Sequence, residues 1–145
     1  MRLESHVSST VNIFLKAKYK YILIGLVLIL FSIYIFINLE RIKIDGLSGE
    51  VSGVLMWPDT KYSNEYSHKG FNEVSPGMTE KKVLDILGEP ILRWTPYDKR
   101  GPEHKKDWVS FQYTESPGDT HYRLRQVLFN DQGIVESKTG YFWVD

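Results

Sequence analysis

The chain contains no cysteine. That excludes disulfides, thiolate-held metals, cysteine nucleophiles and the acylated cysteine of a lipoprotein, and it fits an oxidising compartment or a reducing one equally. Net charge is lacking as well, since 18 Lys and Arg balance 18 Asp and Glu. The balance hides an asymmetry: from Gly46 onward stand 12 basic and 15 acidic residues. A mildly acidic segment offers no basic footprint, so no nucleic-acid partner is expected.

Catalytic patterns are scarce too. His68, His104 and His121 fall into no H-x3-H or H-E-x2-H spacing. The serines stand in no nucleophile elbow, and no glycine-rich loop joins a strand to a helix where phosphate could bind. Glu89, beside Pro90 at a helix exit, is poorly placed for a lone general acid. Asp119-Thr120-His121 is the nearest approach to a metal or acid-base cluster, and it sits in a turn, where aspartate caps backbone and histidine is solvated. The expectation is a chain that is not an enzyme, with no catalytic or metal-binding residue, no cofactor and no small-molecule substrate.

What the chain has in abundance is one apolar run. Tyr21 to Leu39 holds no charge, and its 19 residues reach about 28 Å as a helix, the thickness of a hydrocarbon core. A cleaved secretory signal is the main competing reading, and a buried core helix a lesser one. The run is longer than a signal's apolar stretch and ends in Ile35-Phe36-Ile37-Asn38-Leu39-Glu40, with no small-residue cleavage site. Tyr19, Tyr21 and Tyr34 lie near its ends, where amphipathic rings favour the headgroup level. Val7, Val11, Phe14 and Leu15 recur at helical spacing, so the arm before the run either lies on the bilayer surface or is disordered. Lys16, Lys18 and Lys20 crowd one flank, whereas Arg41 and Lys43 on the other are mixed with Glu40 and Asp45. The positive-inside rule then puts the N-terminus in the cytoplasm and the C-terminal domain in the periplasm, anchored in the inner membrane by a single pass.

Gly46 to Gly70 is rich in Gly and Ser, with one apolar patch, Val54-Leu55-Met56-Trp57, stopped by Pro58-Asp59. It reads as a tether. The chain accordingly divides into a cytoplasmic arm (1–20), a transmembrane helix (21–39), a linker with room for one short strand (40–69) and a folded domain (70–145).

The folded domain opens with Pro76-Gly77, a type II turn in which Pro76 sets the first corner and Gly77 supplies positive φ at the second. Thr79 stands as N-cap of a helix of about nine residues, with Met78 and Val83 at the spacing of a hydrophobic staple. Val83, Leu84, Ile86 and Leu87 form its apolar face, Gly88 closes it and Pro90 prevents continuation. Strand-like runs follow over Ile91–Thr95, Asp107–Thr114, Thr120–Phe129 and Ile134–Lys138, each bounded by turn residues. Helix first and a meander after predict an α+β fold, a helix packed on a three- to four-stranded antiparallel sheet with one face open.

Alternation assigns the faces. With Val109, Phe111 and Tyr113 inward, Trp108, Ser110 and Gln112 point out, and Arg93 faces opposite to Leu92 and Trp94. On the third strand Tyr122 and Leu124 read as inward and Arg123 and Arg125 as outward, a bulge near Gln126 then bringing Val127 and Phe129 back into phase. Arg93, Trp108, Arg123 and Arg125 thus form a candidate protein-binding face, of residue types enriched at hot spots, although a solvated strand face gives the same pattern. The aromatic tail Tyr141-Phe142-Trp143 is a second candidate surface.

The run Pro76-Gly77-Met78-Thr79, then Val83, then Leu87-Gly88-Glu89-Pro90, and finally Val127-Leu128-Phe129-Asn130-Asp131-Gln132-Gly133-Ile134-Val135, resembles the SmpA/OmlA family. That family includes the small lipoprotein of the outer-membrane β-barrel assembly machinery. The resemblance covers roughly Gly70 to Glu136 and implies helices layered on a three-stranded antiparallel sheet with no catalytic centre. Pro76, Gly77, Thr79, Val83, Leu87, Gly88 and Pro90 are fold markers of the pattern, not a binding site. The family's lipoproteins are held by an acylated cysteine, and here a hydrophobic helix stands in its place. The resulting expectation is an inner-membrane, non-catalytic module that binds an envelope protein and assists assembly or stability of a complex. The alternative is a membrane-tethered inhibitor or immunity protein acting on an enzyme or toxin outside the cytoplasm.

Overall fold

In the computed structural model, which describes the backbone of residues 2–143 and the side chains of residues 18–143, the apolar run is helical up to Ile37. Helix α1 (Arg2–Ile37) contains a stretch, Lys18–Ile37, long and apolar enough to cross a membrane, none of it buried. In hydrocarbon every backbone amide must be satisfied internally, and a helix does so. Asn38 ends it, its backbone and side-chain nitrogens both donating to the carbonyl of Tyr34. The side chains of Val7, Val11, Phe14 and Leu15 lie outside the described residues. The chain forms two units, residues 1–39 and residues 40–145.

The second unit is larger than the expected folded domain, because residues 40–69 are structured. Helix α2 (Leu39–Met56) kinks at Gly46, whose φ of 72° and ψ of 172° suit glycine alone. It is followed by β1 (Lys61–Tyr62) and α3 (His68–Glu73), the latter capped by Ser67, which accepts from the Gly70 amide. The glycines that read as linker signals are close-approach positions instead. A Cβ on Gly49 would lie 2.7 Å from that of Asp45, and one on Gly53 would lie 2.1 Å from the Arg123 guanidinium.

Helix α4 (Glu80–Leu87) forms where its caps require. Thr79 Oγ1 accepts from the Lys82 amide at 3.3 Å, Gly77 has φ 90°, and Gly88 closes the helix. Met78 packs beside buried Val83 and Leu87. Next come β2 (Leu92–Trp94), a 3-10 turn (Glu103–Lys105), β3 (Val109–Gln112), β4 (Thr114–Glu115), β5 (Tyr122–Phe129) and β6 (Val135–Trp143). The main sheet is antiparallel in the order β2-β3-β5-β6, and β1 pairs with β4 in a separate ribbon. The α+β layering predicted from the sequence is therefore present.

Register sets the faces. Phe111 pairs with Val127 and Val109 with Phe129, while Arg125 pairs with Gly140. The inner face thus carries Phe111, Arg125, Val127 and Phe129, and on it pack Phe71 and Val74 from the α3 segment and Val83 and Leu87 of α4. The irregularity falls at the far end of β5, where Leu128 faces Ser137 and Phe129 faces Val135, leaving Glu136 as the extra residue. No bulge near Gln126 is needed.

The turn and first residues of the α4 segment meet the hairpin between β5 and β6. Gly77 N donates to Val135 O at 2.9 Å, Val135 N to Met78 O at 2.8 Å, and Glu80 N to Gly133 O at 2.9 Å. The turn between β5 and β6 is closed by Asn130, whose Oδ1 accepts from the amides of Gln132 and Ile134.

Candidate functional site

The four residues expected to share an exposed face do not do so. Arg93 lies on the inner side of β2, its guanidinium carbon 4.3 Å from the centre of the Phe111 ring, and pairs with Glu80 and Glu89. Trp108 has the outward parity, but the loop before it folds over: Lys105 Nζ stands 4.4 Å above its ring and Tyr97 meets it edge-on. It is buried. Arg123 and Arg125 point inward and are buried, Arg125 completely (0% exposed). The reversal follows from phase. Val127 and Phe129 fix the parity of β5, and the arginines two and four positions earlier share it.

Two arginines can occupy a core only if carboxylates meet them. Those carboxylates come from α2. Arg125 Nη2 donates to Asp45 Oδ2 at 2.8 Å, and its Nη1 lies 2.8 Å from Asp45 Oδ1, a coulombic contact without hydrogen-bond geometry. Arg123 Nη1 donates to Asp45 and, at 3.0 Å, to Glu50 Oε1. Glu50 in turn accepts from Arg41 Nε and Nη2, each at 2.7 Å. The series runs Arg41, Glu50, Arg123, Asp45, Arg125, with charges alternating along it. Asp45, Glu50, Arg41 and the partners of the arginines were missed from sequence because residues 40–69 read as linker; the phase of Val127 and Phe129 was the signal that could have found them.

The network ends in aromatic rings. Arg125 Nε donates to Tyr66 Oη at 3.1 Å, and that hydroxyl lies 3.2 Å from His68 Nδ1. That hydroxyl, which accepts from Arg125, keeps a proton and a second lone pair for the His68 ring nitrogen, the direction of the bond being set by the imidazole tautomer. Tyr62 stacks on Tyr66 at 4.9 Å, and His68 stands edge-on to both. Burial, reinforced by the charges of Arg125 and Arg41, depresses the His68 pKa to about 4. Burial likewise pushes the Tyr66 hydroxyl above its usual range. Burial alone would lower the Arg125 pKa, but the hydrogen bond and charge of Asp45 outweigh it and raise it.

The opposite sheet face carries the exposed apolar groups. Trp94, Ser110, Leu128 and Ser137 form one cross-strand row; Leu92, Gln112, Gln126 and Thr139 form the next. Beyond them Leu124 pairs with Tyr141 and Tyr122 with Trp143. Leu92, Trp94, Tyr141 and Trp143 are exposed, and the last two rings lie 5.7 Å apart. A groove of roughly 200 Å³ runs beside Trp94, Tyr97, Ser110, Leu128 and Ser137. Tyr141 and Trp143 of the aromatic tail thus belong to the open sheet face, because β6 extends to Trp143, whereas Phe142 lies on the inner side beside Arg123.

Asp119 and His121 lie in and beside the turn that precedes β5. Their turn is held by Asp59, whose carboxylate accepts from Ser116 Oγ and from the Gly118 amide, each at 2.6 Å. Among the described residues no group of three or more His, Asp or Glu is placed to hold a metal. Comparison with known protein families, with curated proteins and with solved structures gives no match to this chain.

Proposed function

We propose that the chain is a membrane-anchored, non-catalytic protein-binding module of a bacterial cell envelope, held in the inner membrane by α1 with its second unit in the periplasm. One observation carries the binding role. The helices pack on one face of the sheet, and the other displays Leu92, Trp94, Tyr141 and Trp143, with a groove beside Trp94. Exposed aromatics in that arrangement are the residue types that anchor protein interfaces. The resemblance of residues 70–136 to SmpA/OmlA supports an envelope partner. The orientation is supported by charge: on the C-terminal flank Arg41 is paired with Glu50 and Lys43 with Glu40, whereas the N-terminal flank carries Lys16, Lys18 and Lys20.

The test is affinity capture from solubilised membranes with the full chain and with a Trp94→Ala, Trp143→Ala double variant. A stable partner is expected with the first and at least tenfold less of it with the second. Equal recovery by both would remove the sheet face from the reading, and recovery of nothing by either would remove the binding role.

A further inference from the structure

Helix α2 is amphipathic in the inverted sense. Of its charged residues Asp45 and Glu50 face the core, the latter 1% exposed, and Gly49 and Gly53 lie on the same side. Its solvent side carries Leu47, Val51, Val54 and Leu55, spaced i, i+4, i+7, i+8, so that they form one stripe. Leu55 is 73% exposed. Trp57 follows at the helix end, 86% exposed and held at φ 49°, in the left-handed region where large side chains are rarely found. The arginine network accounts for the buried charges and leaves the apolar stripe without a partner in the unit's own fold.

We infer that this stripe lies in the headgroup layer of the bilayer, making α2 an interfacial helix that lays the second unit against the membrane. The inference rests on the reading of α1 as a membrane span. Three observations favour lipid over a protein occupant. Leu47 follows Ile37 by ten residues, about 35 Å of chain at full extension, so the stripe cannot leave the neighbourhood of the bilayer. Leu47, Val51, Val54, Leu55 and Trp57 include no charged side chain and only one hydrogen-bonding group, the indole N–H. A protein interface of that size is normally fixed by several directed hydrogen bonds, whereas a lipid surface asks for none. That single indole stands at the end of the stripe, and tryptophan is the residue that collects at the headgroup level. Interfacial helices bury their apolar side roughly 5 to 10 Å into the boundary between headgroups and acyl chains.

The absence of native cysteine makes the test direct. Full-length chains carrying one substitution each, Leu30→Cys, Val51→Cys, Leu55→Cys or Gln132→Cys, are spin-labelled and reconstituted into phosphatidylcholine vesicles containing one-quarter phosphatidylglycerol. Collision with oxygen relative to a water-soluble nickel chelate reads depth. Leu30 is expected to read deepest, Gln132 as aqueous, and Val51 and Leu55 in between, with a ratio about threefold or more above Gln132. Independently of any label, lipid brominated near the headgroup is expected to quench the fluorescence that disappears in Trp57→Phe. Aqueous values at Val51 and Leu55 with a deep Leu30 would overturn the inference and leave the anchor intact. Spin–spin broadening at those two sites that vanishes on dilution with unlabelled chain would assign the stripe to a second copy, and overturn it too. An aqueous Leu30 would overturn the anchor itself and the inference with it.

Discussion

Asp45 and Arg125 stand 80 positions apart in the chain and meet with neither side chain exposed, Arg125 Nη2 donating to Asp45 Oδ2 at 2.8 Å. The pair joins α2 to β5 and brings the segment next to the apolar helix into the core. Charges taken so far from water are held only while each has its partner.

Asp45→Ala is therefore expected to cost about 3 to 5 kcal/mol, because it strands Arg125 and leaves Arg123 with Glu50 alone. Lys43→Ala, which breaks an exposed pair with Glu40, should change stability by about 0.5 kcal/mol or less. Urea unfolding of the full chain in detergent, followed by tryptophan fluorescence, measures both. An Asp45→Ala loss no larger than that of Lys43→Ala would show that the buried network contributes nothing.

Gly140 tests how closely α2 lies on β6. A Cβ there would sit 2.4 Å from Ile44 Cγ2 and 3.1 Å from the Phe71 ring, so something must move. Gly140→Val is expected to destabilise by about 1 to 3 kcal/mol through overpacking and to expose residues 40–56 to protease in detergent. Unchanged cleavage in that segment would mean that the contact does not hold α2 down.

Acid should loosen the unit through His68. Its folded pKa, about 4, lies below its ordinary 6.5, so between those values the unfolded chain binds the proton that the folded chain refuses. The contribution is complete above pH 6.5 and is lost as the pH falls toward 4. Discounted for partial exposure of the ring, the loss is of order 1 to 2 kcal/mol. Asp59, held below the usual carboxylate range by Ser116, adds a further loss at lower pH. His68→Gln should flatten the slope between pH 4 and 6.5 while leaving the Asp59 portion in place; an unaltered slope would take His68 out of the account.

Topology can be read with a reporter active only outside the cytoplasm, fused after Asp145. Activity is expected, and reversing the charges of Lys16, Lys18 and Lys20 should reduce it severalfold. A silent fusion whose cytoplasmic counterpart works would turn the chain round.

Local signals in the sequence were read well where chain neighbours decide the structure. Pro76-Gly77, Thr79 and Gly88 act through their own backbone, and they produce the turn, cap and stop expected of them. β6 was read as ending near Lys138 and continues to Trp143, because pairing with β5 carries it past its last clear apolar residue. The arginines of β5 were misplaced because charge was allowed to outvote phase: Val127 and Phe129 already required Arg125 on their side. Nothing local marks Asp45 and Glu50 as core residues, since their partners arrive more than 70 positions later. Gly49 and Gly53 look like linker residues in sequence, whereas they are small because Asp45 and Arg123 press against them. The open sheet face was expected, but its members, Leu92, Trp94, Tyr141 and Trp143, follow only from the corrected parity.

The inward turn of Asp45 and Glu50 also bears on how this protein could be shed. A protease that freed the second unit by cutting after Glu50 would carry off both carboxylates and leave Arg123 and Arg125 buried without counter-ions. The fragment liberated by that cut would be prone to unfold and be degraded. Only a cut ahead of Asp45 would release the sheet together with the counter-ions of its buried arginines.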